Sequence, residues 1–284
     1  IVSVIHLAAY YSFDEQHSPL YDLVTVKGTE RLLKALQAFE VEQFIFSSTM
    51  LVYAPTELGK LIDESSPVSP KWDYPLSKVH TEAVIAENKG SAKSVILRIA
   101  GVYDDQCHSI PISHQIQRIY EKQMQARLFS GDTSHGAAFL HMDDLVDSIL
   151  FAVEKRKELS DEVVLLIGEE QTMSYDALQR KISKLLYDKE FKTIRIPKLI
   201  AYIGAFILSH IPFIRKPFIK PWMIAFADYH YELNIEKTKN MLGWRPKHFI
   251  GDTLPKMIAN LKKDPLHWYK INGLKFPRHF LKRH

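Results

Sequence analysis

Short apolar runs, each bounded by polar residues, alternate with longer stretches of helical periodicity through the first 170 residues, and this alternation restricts the chain to few architectures. Val2 to Leu7, Phe44 to Ser47, Ser94 to Arg98 and Val163 to Ile167 are rich in Val, Ile, Leu or Phe. Runs of that length and composition read as strands buried on both faces. Between them Val26, Leu32, Leu33 and Leu36, then Val79, Ala83, Val84 and Ile85, then Leu145, Ile149, Leu150 and Val153 recur at helical spacing. Such spacing predicts helices that lay an apolar stripe on a sheet. Strands separated by helices pair in parallel, so the fold class is α/β. From Ser174 the pattern turns to helix and loop, punctuated by Pro197, Pro212, Pro217 and Pro221, and a helical stretch from Pro111 to Gln125 interrupts the earlier alternation. The expected division is a sheet core over 1–103 and 139–169 and a smaller, mostly helical region over 104–138 and 170–284.

Composition removes several classes of function. With 46% hydrophobic and 25% charged residues, the chain is neither disordered nor fibrous. The single cysteine, Cys107, cannot close an intramolecular disulfide or build a multi-thiolate zinc site, which suits a reducing, cytoplasmic location, and no metal site is proposed. The longest apolar run, Leu199 to Ile214, is interrupted by Ser209, His210 and Pro212 and falls short of a membrane span. Ile1 to Ala9 is apolar but has no basic flank, so it does not read as a signal peptide and looks like the middle of something longer. The net charge of +4 is uneven: eight basic residues in the last thirty face only Asp264.

Of thirteen tyrosines, only Tyr74 has a lysine four residues on, Lys78, in Tyr74-Pro75-Leu76-Ser77-Lys78 at the start of a helical pattern. That spacing puts both side chains on one helix face. A phenol with an ordinary pKa of about 10 accepts a proton poorly at neutral pH unless a fixed positive charge stabilises the phenolate. Lys78 is expected to supply that charge and to depress the Tyr74 pKa. The strand ending in Ser48-Thr49-Met50 adds hydroxyls at the carboxyl edge of the sheet, where open α/β sheets bind ligands. Thr49 is the expected holder of a substrate oxygen while the phenol exchanges its proton.

These residues resemble those of the extended short-chain dehydrogenase/reductase family, of the NAD-dependent epimerase/dehydratase type. The resemblance rests on seven motifs in order: His6-Leu7-Ala8-Ala9, Val26-Lys27-Gly28-Thr29, Phe46-Ser47-Ser48-Thr49 with Val52-Tyr53, Tyr74 with Lys78, Leu97-Arg98 through Val102-Tyr103, Phe139-Leu140-His141-Met142-Asp143-Asp144, and Leu242-Gly243-Trp244-Arg245-Pro246. It implies a Rossmann-like sheet flanked by helices, with 1–103 and 139–169 as a partial dinucleotide-binding core and the remainder as the substrate-binding and carboxy-terminal region. It also implies NAD or NADP as cofactor and an alcohol or ketone as substrate. Thr49, Tyr74 and Lys78 would be catalytic. Leu7, Ala8, Ala9, Thr25, Ser47 and Ile99, with Tyr74 and Lys78, would line the cofactor, and Thr49, Met50, Gly101 and Val102 the substrate.

Three departures qualify the resemblance. The family's opening strand, glycine-rich turn and helix are not found among the eleven glycines, so a segment of about 60 residues is expected to be missing. On this expectation the chain is a fragment, or a truncated gene model, of an enzyme, inactive alone. The family's usual Asn before Gly-Thr is Thr25, and the Pro that often follows Leu-Arg is Ile99. An arginine that often binds a nucleotide-sugar diphosphate is replaced by Ala137, which leaves a nucleotide sugar and a steroid-like or lipid-like substrate both open. A non-catalytic scaffold is the reading if the chain is complete as given.

His6, His141, Asp143, Asp144 and Cys107 read as structural. The Leu199 to Ile224 stretch, with Tyr202, Phe206, Phe213, Phe218, Trp222 and Arg215, Lys216 and Lys220, suits a peripheral membrane contact, an apolar substrate mouth or plain core packing. The basic tail with Trp268, Tyr269, Phe276 and Phe280 suits contact with anionic lipid or a solvated end. No nucleic-acid-reading motif accompanies this charge. A homodimer is an arrangement found in the relatives that the chain resembles.

Overall fold

The computed structural model describes residues 1–13, 16–211 and 218–277. In chain order the elements are β1 (Ser3–His6), α1 (Lys27–Leu36), β2 (Gln43–Thr49), α2 (Asp73–Asn88), β3 (Lys93–Ile99), β4 (Gly101–Tyr103), α3 (Ile110–Tyr120), β5 (Leu128–Ser130), β6 (Phe139–His141), α4 (Met142–Glu154), β7 (Glu162–Ile167), α5 (Tyr175–Tyr187), β8 (Ile194–Ile196), α6 (Lys198–His210), α7 (Glu236–Leu242), α8 (Ile250–Lys263) and α9 (Pro265–Ile271). They form two compact units, one of residues 1–100, 143–171 and 231–247, the other of residues 101–142, 172–230 and 248–284.

The first unit is built on an all-parallel sheet in the order β1-β2-β3-β7. The predicted strands are present, with β2 extended at both ends and β1 contracted to four residues. Along β2, Phe44 and Phe46 point to the face where Leu33 of α1 and Ile85 of α2 pack, together with Ile96 of β3. This is the two-residue alternation of a pleated strand meeting the helical spacing of its cover. A six-residue π-helical turn, Tyr21–Val26, leads into α1. Among the described residues β1 pairs only with β2, and Val2, Ile5 and Leu7 are exposed.

The sequence division assigned 231–247 to the carboxy-terminal region, but these residues belong to the first unit, and 101–103 and 139–142 belong to the second. The physical reason is backbone pairing. Ile62 donates to the Glu232 carbonyl at 2.7 Å and accepts from Asn234 at 2.8 Å, while Thr238 donates to the Leu166 carbonyl at 2.7 Å. The buried Trp244 indole donates to the Asp144 carbonyl at 3.0 Å, and the Asp144 carboxylate accepts from the Lys247 amide at 3.0 Å. Gly101–Tyr103 instead pairs with Phe139–His141.

In the second unit three amphipathic helices share one core: Ile112, Ile116 and Ile119 of α3, Leu178, Ile182 and Leu186 of α5, and Leu254, Met257, Ile258 and Leu261 of α8. The helix expected over Pro111 to Gln125 ends at Tyr120. Lys122 takes a left-handed conformation (φ 52°), and a 3-10 turn follows over Met124–Arg127. Trp268 and Tyr269 of α9 are buried in the same core, with Phe276 packed against it, so this part of the tail is neither lipid contact nor solvated end. Arg278, Phe280, Lys282 and Arg283 lie outside the described residues, as do Pro212, Phe213, Ile214, Arg215, Lys216 and Pro217. Cys107 is buried, and burial pushes its thiol pKa up, which makes it inert.

Replacing Trp244 by Ala removes a fully buried side chain and its hydrogen bond to the Asp144 carbonyl. The expected loss of unfolding free energy is about 3–5 kcal/mol, read from urea denaturation of both proteins.

Candidate active site

The site lies in the first unit where α2 begins beside the carboxyl end of β2. Trp72 is extended, Asp73 and Tyr74 open the helix, and Pro75 occupies the first turn, where its missing N–H costs nothing. Asp73 complements the positive end of the helix dipole and accepts from His17 at 3.0 Å. One turn on, Lys78 is buried and donates to the Ser47 carbonyl at 2.6 Å, its ammonium 4.7 Å from the Phe46 ring centre and 5.8 Å from that of Tyr74. Thr49, at the end of β2, lies near enough to Tyr74 to act on its pKa. The Thr49 hydroxyl oxygen accepts from the Leu51 amide at 3.2 Å, which leaves its proton to donate. Thr49, Tyr74 and Lys78 are thus brought together.

Burial governs the protonation of both titrating groups. It pushes the Tyr74 pKa up to about 12, opposed by Thr49 and assisted by Tyr21. The ring is walled by aromatics: Tyr11 meets it edge-on at 4.6 Å between centres and Tyr21 lies at 6.4 Å. Burial pulls Lys78 down to about 8, and Glu82 opposes that fall. The lysine's charge is therefore held against desolvation by a neighbouring carboxylate.

Glu82 belongs to a buried network. It receives Arg98 through Nε at 3.2 Å and Nη2 at 2.6 Å, and accepts from the Ser48 hydroxyl at 2.5 Å. Arg98 Nη1 also donates to the Tyr53 hydroxyl at 2.7 Å. Sequence reading passed over Glu82, although it continues the Tyr74, Lys78 spacing by four, and treated Arg98 only as part of a motif, although a lone cation inside an apolar strand calls for a partner. Tyr11 and Tyr21 carry no such signal.

The remaining expected residues divide. Leu7 and Ala8 are exposed beyond the carboxyl end of β1, and Ser47 is half-buried beneath Lys78. Ile99 and Met50 are buried at the ends of β3 and β2. Thr25 is fully buried, its hydroxyl accepting from the Tyr10 amide at 2.9 Å, so it ties down the chain after β1 rather than facing a ligand. Gly101 and Val102 form β4 in the other unit. His6 bonds Thr29 at 2.9 Å and packs on Phe44 and Phe46; burial and Lys78 hold its pKa down, which suits a neutral structural ring.

A nucleotide's ribose needs hydrogen-bond donors at such an edge. An ammonium has three N–H groups, and Lys78 uses one on Ser47 among the described residues. Two donors remain, which fits a vicinal diol. A parallel Rossmann-like sheet with a tyrosine, a lysine and a threonine gathered at its carboxyl edge defines the class of a dinucleotide-dependent enzyme fold. The sequence model of the NAD dependent epimerase/dehydratase family matches residues 1–168, more than half of the chain, and the protein belongs to that family. Short-chain dehydrogenase/reductase family 42E member 1 of Danio rerio is 26% identical over 299 residues, covering 95% of this chain and 72% of that protein. Sterol-4-alpha-carboxylate 3-dehydrogenase, decarboxylating, of Saccharomyces cerevisiae is 22% identical over 277 residues, covering 90% of this chain and 75% of that protein. Among solved structures, the UDP-glucuronic acid 4-epimerase of Bacillus cereus, in complex with UDP-glucuronic acid and NAD, superposes with a TM-score of 0.71 at 20% identity, covering 93% of this chain and 76% of that one.

The Lys78 shift makes stability depend on pH with a definite sign. Its pKa in the folded protein, about 8, lies below the ordinary 10.5, so between those values the unfolded chain binds more protons and stability rises with pH. From about pH 7.5 to about pH 9.5 the folded protein should gain roughly 1–2 kcal/mol relative to Lys78→Met. Urea midpoints at the two pH values test this; an unchanged difference contradicts a buried, depressed lysine. Removing one partner of the Glu82–Arg98 pair by Glu82→Leu should cost about 3–5 kcal/mol, because the guanidinium is left buried and uncompensated.

Proposed function

We propose that the protein is an NAD(P)-dependent oxidoreductase of the epimerase/dehydratase type, acting on an alcohol or ketone, with Tyr74 as the proton-transfer group. The observation that supports this best is the gathering of Thr49, Tyr74 and Lys78 at the sheet's carboxyl edge, with Lys78 on the Ser47 carbonyl and 5.8 Å from the Tyr74 ring centre. NAD or NADP, when bound, supplies hydride transfer at the carbon that bears the reacting oxygen. Lys78 holds ribose hydroxyls with its two remaining N–H groups, and its charge favours the phenolate when the proton has left. Leu7, Ala8, Ala9 and Ser47 line the same edge. Thr49 holds the substrate oxygen beside Tyr74 Oη, and Met50 closes the wall behind it.

With its pKa raised to about 12, the Tyr74 phenol keeps its proton at neutral pH and is poised to give it to a carbonyl oxygen. In the opposite direction Oη takes the hydroxyl proton of an alcohol, which requires more positive charge near the phenol than the site alone supplies. Tyr11 and Tyr21 flank the Tyr74 ring with apolar surface. A steroid-like or lipid-like alcohol is the second reading of the substrate. It is favoured by Ala137, where an arginine for a sugar-nucleotide diphosphate would stand, and by the likeness to a sterol dehydrogenase.

Tyr74→Phe keeps the ring and removes the proton. In the full-length protein it should lower NAD(P)-dependent turnover of alcohols, ketones or sugar nucleotides by about a hundredfold or more, with far-UV circular dichroism and thermal midpoint unchanged. Wild-type turnover in this variant would refute the proton role.

A further inference from the structure

Among the thirteen residues of α6 only Ala205 is buried. Leu199 is 70% exposed and Ile200 59%, and Ile203, Phe206 and Ile207 are each about half exposed. A surface helix ordinarily turns its polar stripe to water and its apolar stripe to the core. Here apolar side chains spaced at three and four residues remain in solvent, forming the kind of contiguous patch that marks an interaction surface. The helix is about 20 Å long, well under the hydrocarbon thickness of a bilayer, and no helix among the described residues is long and apolar enough to cross a membrane.

The charge around the helix selects the occupant. Between Glu190 and Asp228 the sequence contains no acidic residue and six basic ones: Lys192, Arg195, Lys198, Arg215, Lys216 and Lys220. Arg215 and Lys216 lie outside the described residues and enter only as charges of the sequence. Lys198 pairs with Asp228 at 2.5 Å and Arg195 reaches Asp132 at 4.0 Å, yet the stretch keeps an excess of positive charge. A two-fold contact between copies would bring this basic stretch toward itself, and like charges would oppose it. An anionic surface complements it.

We propose that α6 lies in the interface of an anionic membrane, with Leu199, Ile200, Ile203, Phe206 and Ile207 at the boundary of headgroups and acyl chains and the preceding Lys192, Arg195 and Lys198 toward the headgroups. The proposal stands on α6 and its charge alone and is independent of the reading of Tyr74. Cosedimentation of the full-length protein with vesicles of phosphatidylcholine, and of phosphatidylcholine with phosphatidylserine, tests it. Binding should be at least about tenfold tighter to the phosphatidylserine vesicles and should weaken with added salt. The triple variant Ile203→Ser, Phe206→Ser, Ile207→Ser changes solvent-exposed positions and should keep its circular dichroism while losing about tenfold or more of vesicle binding. Three results would overturn the proposal: wild-type protein left in the supernatant at both compositions, a folded triple variant that sediments as well as wild type, or a lipid-independent dimer that the triple variant disperses, which would make a second copy the occupant.

Discussion

The site is organised by one costly placement, a lysine ammonium buried at the start of a helix against the end of a parallel strand. Lys78 loses most of its hydration and recovers part of it from the Ser47 carbonyl, the Phe46 ring and the field of Glu82. Glu82 is itself only 13% exposed at its side chain, so it calls for a cation in Arg98, and the buried Arg98 also takes the Tyr53 hydroxyl. The chain of partners joins α2 to β2 and β3, which are the elements that present Tyr74 and Thr49. A buried ion pair is weak evidence for net stability, but it restricts how α2 can register against the sheet, because any slip leaves a charge uncompensated.

The same burial separates the roles of the two titrating groups. Desolvation raises a neutral acid and lowers a cationic one, so Tyr74 rises to about 12 while Lys78 falls to about 8. In this structure the lysine shares its charge with a backbone carbonyl instead of sitting against the phenol oxygen. Thr49 works against the burial that holds the proton on Tyr74. Proton release from Tyr74 therefore depends on whatever further positive charge enters the site, and this links the direction of proton transfer to what is bound.

The two units solve the burial problem differently. In the first, β2 is covered on both faces, and the apolar content of the strands leaves little exposed except at the β1 edge. In the second, α3, α5 and α8 interlock through aliphatic rows while α6 contributes almost nothing to the core. Apolar residues that a core does not use are a poor fit to water, which is why α6 stands out against helices of similar composition that pack.

Local periodicity was enough to determine the parallel strands, the helices that cover them and the Tyr74, Lys78 pair, because spacing of two or four along one element is a property of neighbouring residues. The order of motifs was enough to place Thr49 beside them. Tertiary structure decided what depends on residues far apart in the chain. It engaged the Thr25 hydroxyl with the Tyr10 amide, walled Tyr74 with Tyr11 and Tyr21, returned residues 231–247 to the sheet unit through Ile62 and Leu166, and buried Trp268 and Tyr269 of a tail whose composition suggested a surface. It also set the burial that pushes the phenol pKa up, since a pKa depends on the water that folding removes as much as on the charge one helical turn away.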